Sequence, residues 1–228
     1  MGIVPLGPKP RTSKPGAGHK IYPYLLRDLV IDRPNQLWCA DITYLPMGRG
    51  FLYLVAIMDW HSRAVLAWRI SNTMDTGFCV SALEEALARF GKPEIFNPDQ
   101  GRQFTSTDFT KVLAAAKIRI SMNGKGRWMD NVFIERLWRS MKYEDLYIKG
   151  YADGAEARIG IADWINFYNH RRPHQALCNK TPMEVWRERM IGALPPGAVD
   201  MTLVLRTSLD NADALTTYPP RQLKQQAA

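Results

Sequence analysis

Trp38-Cys39-Ala40-Asp41-Ile42-Thr43-Tyr44-Leu45 is an apolar, aromatic run with a carboxylate at its centre. Two similar runs follow, Phe51 to Met58 and Ala64 to Ile70, separated by Gly-Arg-Gly at 48–50 and His-Ser-Arg at 61–63. Short β-rich runs divided by such turn residues predict a meander of three antiparallel strands. Downstream the apolar spacing becomes helical. Residues 75–90 predict a helix with Cys79, Leu83, Ala86, Leu87 and Phe90 inward, capped by Thr73 or Asp75 and ended by Gly91. Residues 94–97 predict a short buried strand that delivers Asp99 at its end. A helix from Ser106 to Ala116, a fifth strand at Ile118 and Ile120, a long helix over 130–146 and another over 153–170 complete the series. The sum is an α/β fold, a mixed five-stranded sheet flanked by helices.

Residues 1–34 hold six prolines among six Lys and Arg side chains, which predicts an extended basic arm. Residues 35–191 form the predicted core, with its C-terminal helices, and 192–228 a flexible tail rich in small and polar residues. Cys39, Cys79 and Cys178 lack metal-ligand spacing, and His170 and His174 have no cysteine pair beside them, so neither zinc nor a disulfide framework is expected. No run is long and apolar enough for a signal peptide or a membrane span, and a cytoplasmic protein is expected.

The net charge is +8. A basic balance favours a polyanionic partner, and carboxylates gathered within it call for a cation between them. Asp41 lies mid-strand, Asp99 at a strand end before a Gly-permitted turn, and Glu135 on the long helix, with 35 residues between the last two. Hard oxygen donors suit Mg²⁺, which retains open positions for phosphate oxygens and water. The trio therefore points to metal-assisted phosphodiester chemistry on nucleic acid. Arg139 and Lys142 follow Glu135 at i+4 and i+7 on one stripe, where they can meet flanking phosphates or form a solvated helix face. The spacing alone carries little; the order of strand, strand end and amphipathic helix carries the argument.

The blocks WCADITYL, DQGRQFTS, ISMNGKGRWMDNVFIERLWRSMKYE and FYNHRRPHQAL…TPMEVW resemble the OrfB-type insertion-sequence transposases, and the similarity spans roughly residues 18–188. These belong to the DDE group, whose core is shared with retroviral integrases. The resemblance implies a ribonuclease H-like fold with Asp41, Asp99 and Glu135 as catalytic, metal-binding residues for two Mg²⁺, with Mn²⁺ able to substitute. It implies cleavage at element ends, joining of the freed 3′-hydroxyl to target DNA, and a circular intermediate. Implied partners are DNA, a helix-turn-helix protein from an upstream reading frame, and further copies of the chain on DNA in the bacterial nucleoid. Lys125 and Arg127 in a Gly-Lys-Gly-Arg loop, Asn131, and Arg171 and Arg172 in His-Arg-Arg-Pro-His are candidate DNA contacts, each with a structural reading alongside as surface loop, helix cap or helix terminus. Asp59 and Asp130 read as structural acids, and Trp128, Trp138 and Trp164 as core or interface aromatics.

Two departures from the family pattern stand out. Pro98 takes the place of a small hydroxyl residue directly before Asp99, and Cys178-Asn179-Lys180 replaces a Gly-aromatic-basic run. With an N-terminus that begins almost at the basic arm, they raise an alternative: a truncated, catalytically impaired DNA-binding remnant that modulates intact transposase.

Overall fold

The computed structural model describes residues 22–99, 101–122 and 131–191. Expectations for the tail, most of the basic arm, Lys125, Arg127, Trp128 and Asp130 lie outside these residues. Alternation in β1 (Leu37–Pro46) splits its side chains between two cores. Trp38 and Ala40 face one, while Cys39 and Leu45 face the other, on the side that Asp41 shares by parity. β2 (Phe51–Asp59) and β3 (Val65–Ser71) continue the meander, each antiparallel to the strand before it. Gly50 has a positive φ of 76° in the first turn and Arg63 one of 63° in the second. Both strands end close to the positions that the sequence predicts.

β4 (Ile95–Pro98) and β5 (Arg119–Ile120) add in parallel on the other side of β1, giving the order β3-β2-β1-β4-β5. α1 (Gly77–Phe90), α2 (Thr107–Ala115) and α6 (Pro182–Ile191) cover one face; α3 (Val132–Met141) and α5 (Gly154–His170) cover the other. This is the mixed five-stranded sheet with flanking helices. The described part of the basic arm is not extended throughout: it turns at Arg27–Asp28, where Asp28 has a positive φ of 58° and Leu29 N–H donates to the Leu26 carbonyl, and it touches the sheet edge, where Leu25 N–H donates to Ser121 Oγ (3.1 Å).

Pro98 forms the last position of β4, opposite Ala40. Successive residues of a strand bond to alternate neighbours. Ile95 N–H donates to Gln36 on the β1 side, and the Phe96 carbonyl accepts from Ser121 on the β5 side. The donor that Pro98 lacks therefore faces the β5 side, where the ladder has already ended at Ile120. Proline is tolerated because nothing there awaits its N–H.

Two expectations need correction. α1 begins at Gly77, two residues late, and Thr76 caps it without a side-chain bond, although Asp75 Oδ1 still accepts from Phe78 N–H. The helix expected over 130–146 is not uniform: α3 gives way to a π-helical turn, Lys142–Leu146, and then to α4 (Tyr147–Lys149). The wider turn carries the buried Asp145 and Leu146 inward, where Asp145 accepts from the Tyr151 hydroxyl and pairs with Lys149 Nζ at 2.5 Å. The inward residues of α3 are accordingly Ile134, Leu137, Trp138 and Met141, while Phe133 is only half-buried against Trp60.

α5 approaches this turn through Gly160, on which the Tyr151 ring rests so closely that a methyl group would overlap it. Gly160→Ala gains about 1 kcal/mol of helix propensity. It loses more by displacing Tyr151 from the buried Asp145. A net destabilisation of about 2 kcal/mol in urea unfolding is expected, against a smaller loss for Tyr151→Phe.

Candidate active site

Three elements meet beside the middle of β1. Asp41 is half-buried on the strand, Asp99 follows β4 directly, and Glu135 is exposed in the first turn of α3. The parallel pairing of β1 with β4 brings the first two side by side, because Ala40 opposes Pro98. The third is fixed by a side chain that the sequence reading assigned to packing alone: Trp138 Nε1–H donates to Asp41 Oδ2 at 2.8 Å. Trp138 lies three residues after Glu135, so the bond that ties α3 to β1 also sets Glu135 over the sheet. An i+3 aromatic donor beside a helical carboxylate is the signal that could have revealed it.

The electrostatics at Asp41 are unusual. Burial pushes its carboxyl up to about 6; the Trp138 bond opposes this, and the charges of Asp99 and Glu135 add to it. Asp99 is raised too, by burial, against the N–H of Gly101, which it accepts at 2.6 Å. A Cβ at 101 would lie 2.7 Å from Asp99 Oδ1, so any larger residue there would displace the carboxylate. Lys142 is half-buried, and its ammonium is pushed down by burial while attraction to Asp41 holds it up. Asp59 makes an instructive contrast. Although fully buried, it accepts from Asn35 N–H, Ser62 N–H and the Ser62 hydroxyl. Burial raises the Asp59 carboxyl too, but three hydrogen bonds oppose it and no acid adds to it, as suits a structural acid; at Asp41 the charges of Asp99 and Glu135 add to the burial.

The remaining candidates separate. Arg139 is exposed on α3 with Glu135. Asn131 precedes α3 without a side-chain cap bond, and its Oδ1 is buried without a hydrogen-bond partner among the described residues. Arg171 is exposed at the end of α5, whereas Arg172 forms a two-point ion pair with Glu144 (Nε–Oε2 3.1 Å, Nη2–Oε1 2.6 Å). Asn97, two residues before Asp99, is also buried with neither side-chain polar atom paired. Buried asparagines with no partner are uncommon, and nothing in the sequence singled it out.

The donor chemistry fits a hard divalent cation. All three acids offer carboxylate oxygen, and the repulsion felt at Asp41 is what a cation would relieve. Among the described residues, no group of three His, Cys, Asp or Glu side chains is drawn tightly enough to hold one ion by itself. Asp99 and Glu135 are near enough to disfavour the Asp41 charge.

Family profiles described as "Integrase core domain" match residues 31–127 and 116–182. The transposase for insertion sequence element IS629 of Shigella sonnei is 33% identical over 159 residues, which make up 69% of this chain and 54% of that protein. Transposase InsF for insertion sequence IS3A of Escherichia coli (strain K12) is 35% identical over 153 residues, 66% of this chain and 53% of that one. The chain thus spans about half the length of the curated relatives it matches. The structure is similar to the magnesium-bound catalytic core domain of HTLV-2 integrase, with a TM-score of 0.55 at 22% identity over 68% of this chain and 97% of that one. It is also similar to a chain of the simian T-cell lymphotropic virus intasome, with a TM-score of 0.60 at 18% identity over 93% of this chain and 66% of that one. At these identities the likeness establishes the ribonuclease H-like fold.

The Asp41 carboxyl is raised in the folded state above its unfolded value. Its stabilising contribution is therefore complete below the unfolded pKa and is lost as pH rises through about 6. In a chelator, the wild-type protein should lose on the order of 2 kcal/mol relative to Asp41→Asn between acidic and neutral pH. Paired melting curves across that range measure it. Mg²⁺ at neutral pH should restore the melting temperature of the wild type and leave Asp41→Asn unmoved.

Proposed function

The chain belongs to the integrase core domain family as found in insertion-sequence transposases, and from that premise we propose that it carries out metal-dependent DNA strand cleavage and 3′-hydroxyl strand transfer. The observation that supports this reading is the Asp41 carboxyl, held by the Trp138 indole N–H and the backbone N–H of Ile42, pushed up to about 6, and set beside two further acids with no guanidinium or ammonium hydrogen-bonded to it among the described residues. A carboxylate kept for stability would be satisfied as Asp59 is. Repelling acids on a basic chain suit a cation shared with a phosphate.

Asp41, Asp99 and Glu135 would hold two Mg²⁺ ions, with Mn²⁺ able to replace them, which supply Lewis acidity at the scissile phosphate and ease deprotonation of the attacking oxygen. The protein's own part is positional. Trp138 fixes one oxygen of Asp41, Gly101 N–H fixes one of Asp99, and the sheet keeps both strand ends still. In cleavage a water oxygen forms a bond to phosphorus as the bond to the element's 3′ oxygen breaks. In transfer that 3′-hydroxyl attacks a target phosphodiester and displaces another 3′ oxygen. One phosphodiester replaces another, so no external energy source is needed. Arg139 and Lys142, on the stripe that follows Glu135, would meet the flanking phosphates, and the loop with Lys125 and Arg127 together with Asn131 and Arg171 would extend the contact.

End recognition is assigned to a helix-turn-helix protein acting with this chain, and paired ends to an assembly of several copies in the bacterial cytoplasm, on the nucleoid. Joining of one element end to the other would precede insertion. The remnant alternative leaned on Pro98, and the ease with which β4 accepts this residue supports the catalytic reading instead.

Asp99→Asn and Glu135→Gln should each lower nicking and joining of labelled element-end duplex by at least about a thousandfold. Duplex binding without metal should stay within a few-fold of wild type. Wild-type protein that binds duplex yet neither nicks nor joins it, with Mg²⁺ or Mn²⁺ and the end-recognition partner present, would establish the remnant.

A further inference from the structure

A pocket of about 90 Å³ lies on the far flank of α3 from Trp138 and Lys142, lined among others by Arg63, Phe133, Arg136, Ser140, Arg172 and His174. At about 100° per residue, Arg136 and Ser140 project roughly 100° and 140° around the helix from Glu135. The arginines arrive from three elements: the β2–β3 turn, α3 itself and the segment after α5. No carboxylate lines the pocket. Arg172 has Glu144 as its counter-charge, but among the described residues Arg63 and Arg136 form no ion pair.

Arg63 is held in place without being satisfied. Its backbone sits in the left-handed region, its carbonyl accepts from the Tyr168 hydroxyl at 3.2 Å, and its guanidinium stacks on the Phe133 ring at 3.9 Å. Yet its Nε is buried and has no hydrogen-bond partner among the described residues, and the same holds for His174 Nε2. Burial and the nearby charge of Arg136 both disfavour the Arg63 cation. A cation fixed in the wrong place for its own comfort, with an unpaired donor and two arginine neighbours, is a receptor for an anion. The space equals about three waters, enough for a tetrahedral oxyanion.

We propose that this pocket binds a phosphate of the nucleic-acid backbone, one not cleaved by the carboxylates. The choice of nucleic acid rests on the function proposed above and on geometry. The solvent ridge of α3, formed by Glu135, Arg136 and Arg139, lies between the carboxylates and the pocket. A helix is about 10–12 Å across, close to the width of about 12 Å of a B-DNA major groove. A duplex seated on that ridge would lay one backbone over Glu135 and present the other to Arg63 and Arg136.

The test measures duplex affinity of the full chain against salt, in chelator, so that no cleavage enters. Arg136→Gln alters an exposed side chain; Arg63→Met keeps an apolar stem on Phe133. Arg89→Gln, on α1 across the sheet, controls for the loss of one charge. Arg136→Gln and Arg63→Met should each weaken binding about tenfold and reduce the slope of log affinity against log salt by about 0.9, while Arg89→Gln leaves the slope alone. Slopes for both pocket variants equal to that of Arg89→Gln would overturn the proposal. If inorganic phosphate then raises the melting temperature of the wild type but not of Arg136→Gln, the pocket takes a free phosphate and the nucleic-acid assignment falls. Loss of slope in a chain that cannot nick upholds the pocket and defeats only the catalytic reading.

Discussion

A carboxylate placed on the central strand, facing a helix rather than water, is the constraint around which the molecule is organised. Asp41 cannot be charged there cheaply, and the N–H groups of Trp138 and Ile42 do not compensate. The fold could have paired it with an arginine, as it pairs Arg172 with Glu144, or wrapped it in N–H groups, as it wraps Asp59. Instead Asp99 and Glu135 approach and disfavour its charge, with the half-buried Lys142 as a cationic neighbour that forms no ion pair with it among the described residues. Local stability is given up at the point where two strands and a helix converge. Such a concession is typical of sites shaped for a ligand that brings the missing charge.

The same hydrogen bond explains why the sheet and α3 keep a fixed relation. Apolar packing of Ile134, Leu137 and Met141 would allow α3 to slide along the sheet with modest loss, since such contacts are undirected. A directional bond from Trp138 to a single oxygen of Asp41 selects one register. Glu135, one turn earlier, inherits that register, and so does Lys142, one turn later at the start of the π-helical turn. One polar contact thus positions helix residues that never touch it.

How much of this could be read from the chain depends on whether the information is local. The meander was legible because β1, β2 and β3 are apolar runs separated by turn residues, and Asp41 and Asp59 were legible as different kinds of acid from their places in strand and turn. The short β5 was caught by Ile118 and Ile120 alone. The break of the long helix into α, π and α turns was not legible. It depends on Asp145 finding Tyr151 and on Tyr151 finding room over Gly160, contacts made only after the elements pack. How β4 accommodates Pro98 was not legible for a related reason: where a missing N–H points is decided by which neighbour it faces, and the paired part of that neighbour, β5, ends at Ile120. Trp138 and Arg63 each looked ordinary in sequence, and each acquires its role from a partner far along the chain.

α3 therefore divides two charge systems that would otherwise cancel. On one flank Asp41 is disfavoured by the charges of Asp99 and Glu135; on the other three arginines line one pocket, and Arg172 alone of them is ion-paired among the described residues, to Glu144. Were the side chains free to move, a carboxylate from the first group would pair with a guanidinium from the second. The helix prevents it: Glu135 and Arg136 are adjacent in sequence yet diverge by about 100°. Each excess is thereby kept available, the acids for cations and the arginines for anions. On the function and the pocket proposed above, nucleic acid with its counterions would supply both at the spacing of one helix width, so a duplex lying along α3 would relieve the two repulsions together. Binding energy from that relief would be absent in the free protein. It would then hold DNA in register at the carboxylates, where position would decide which phosphate reacts.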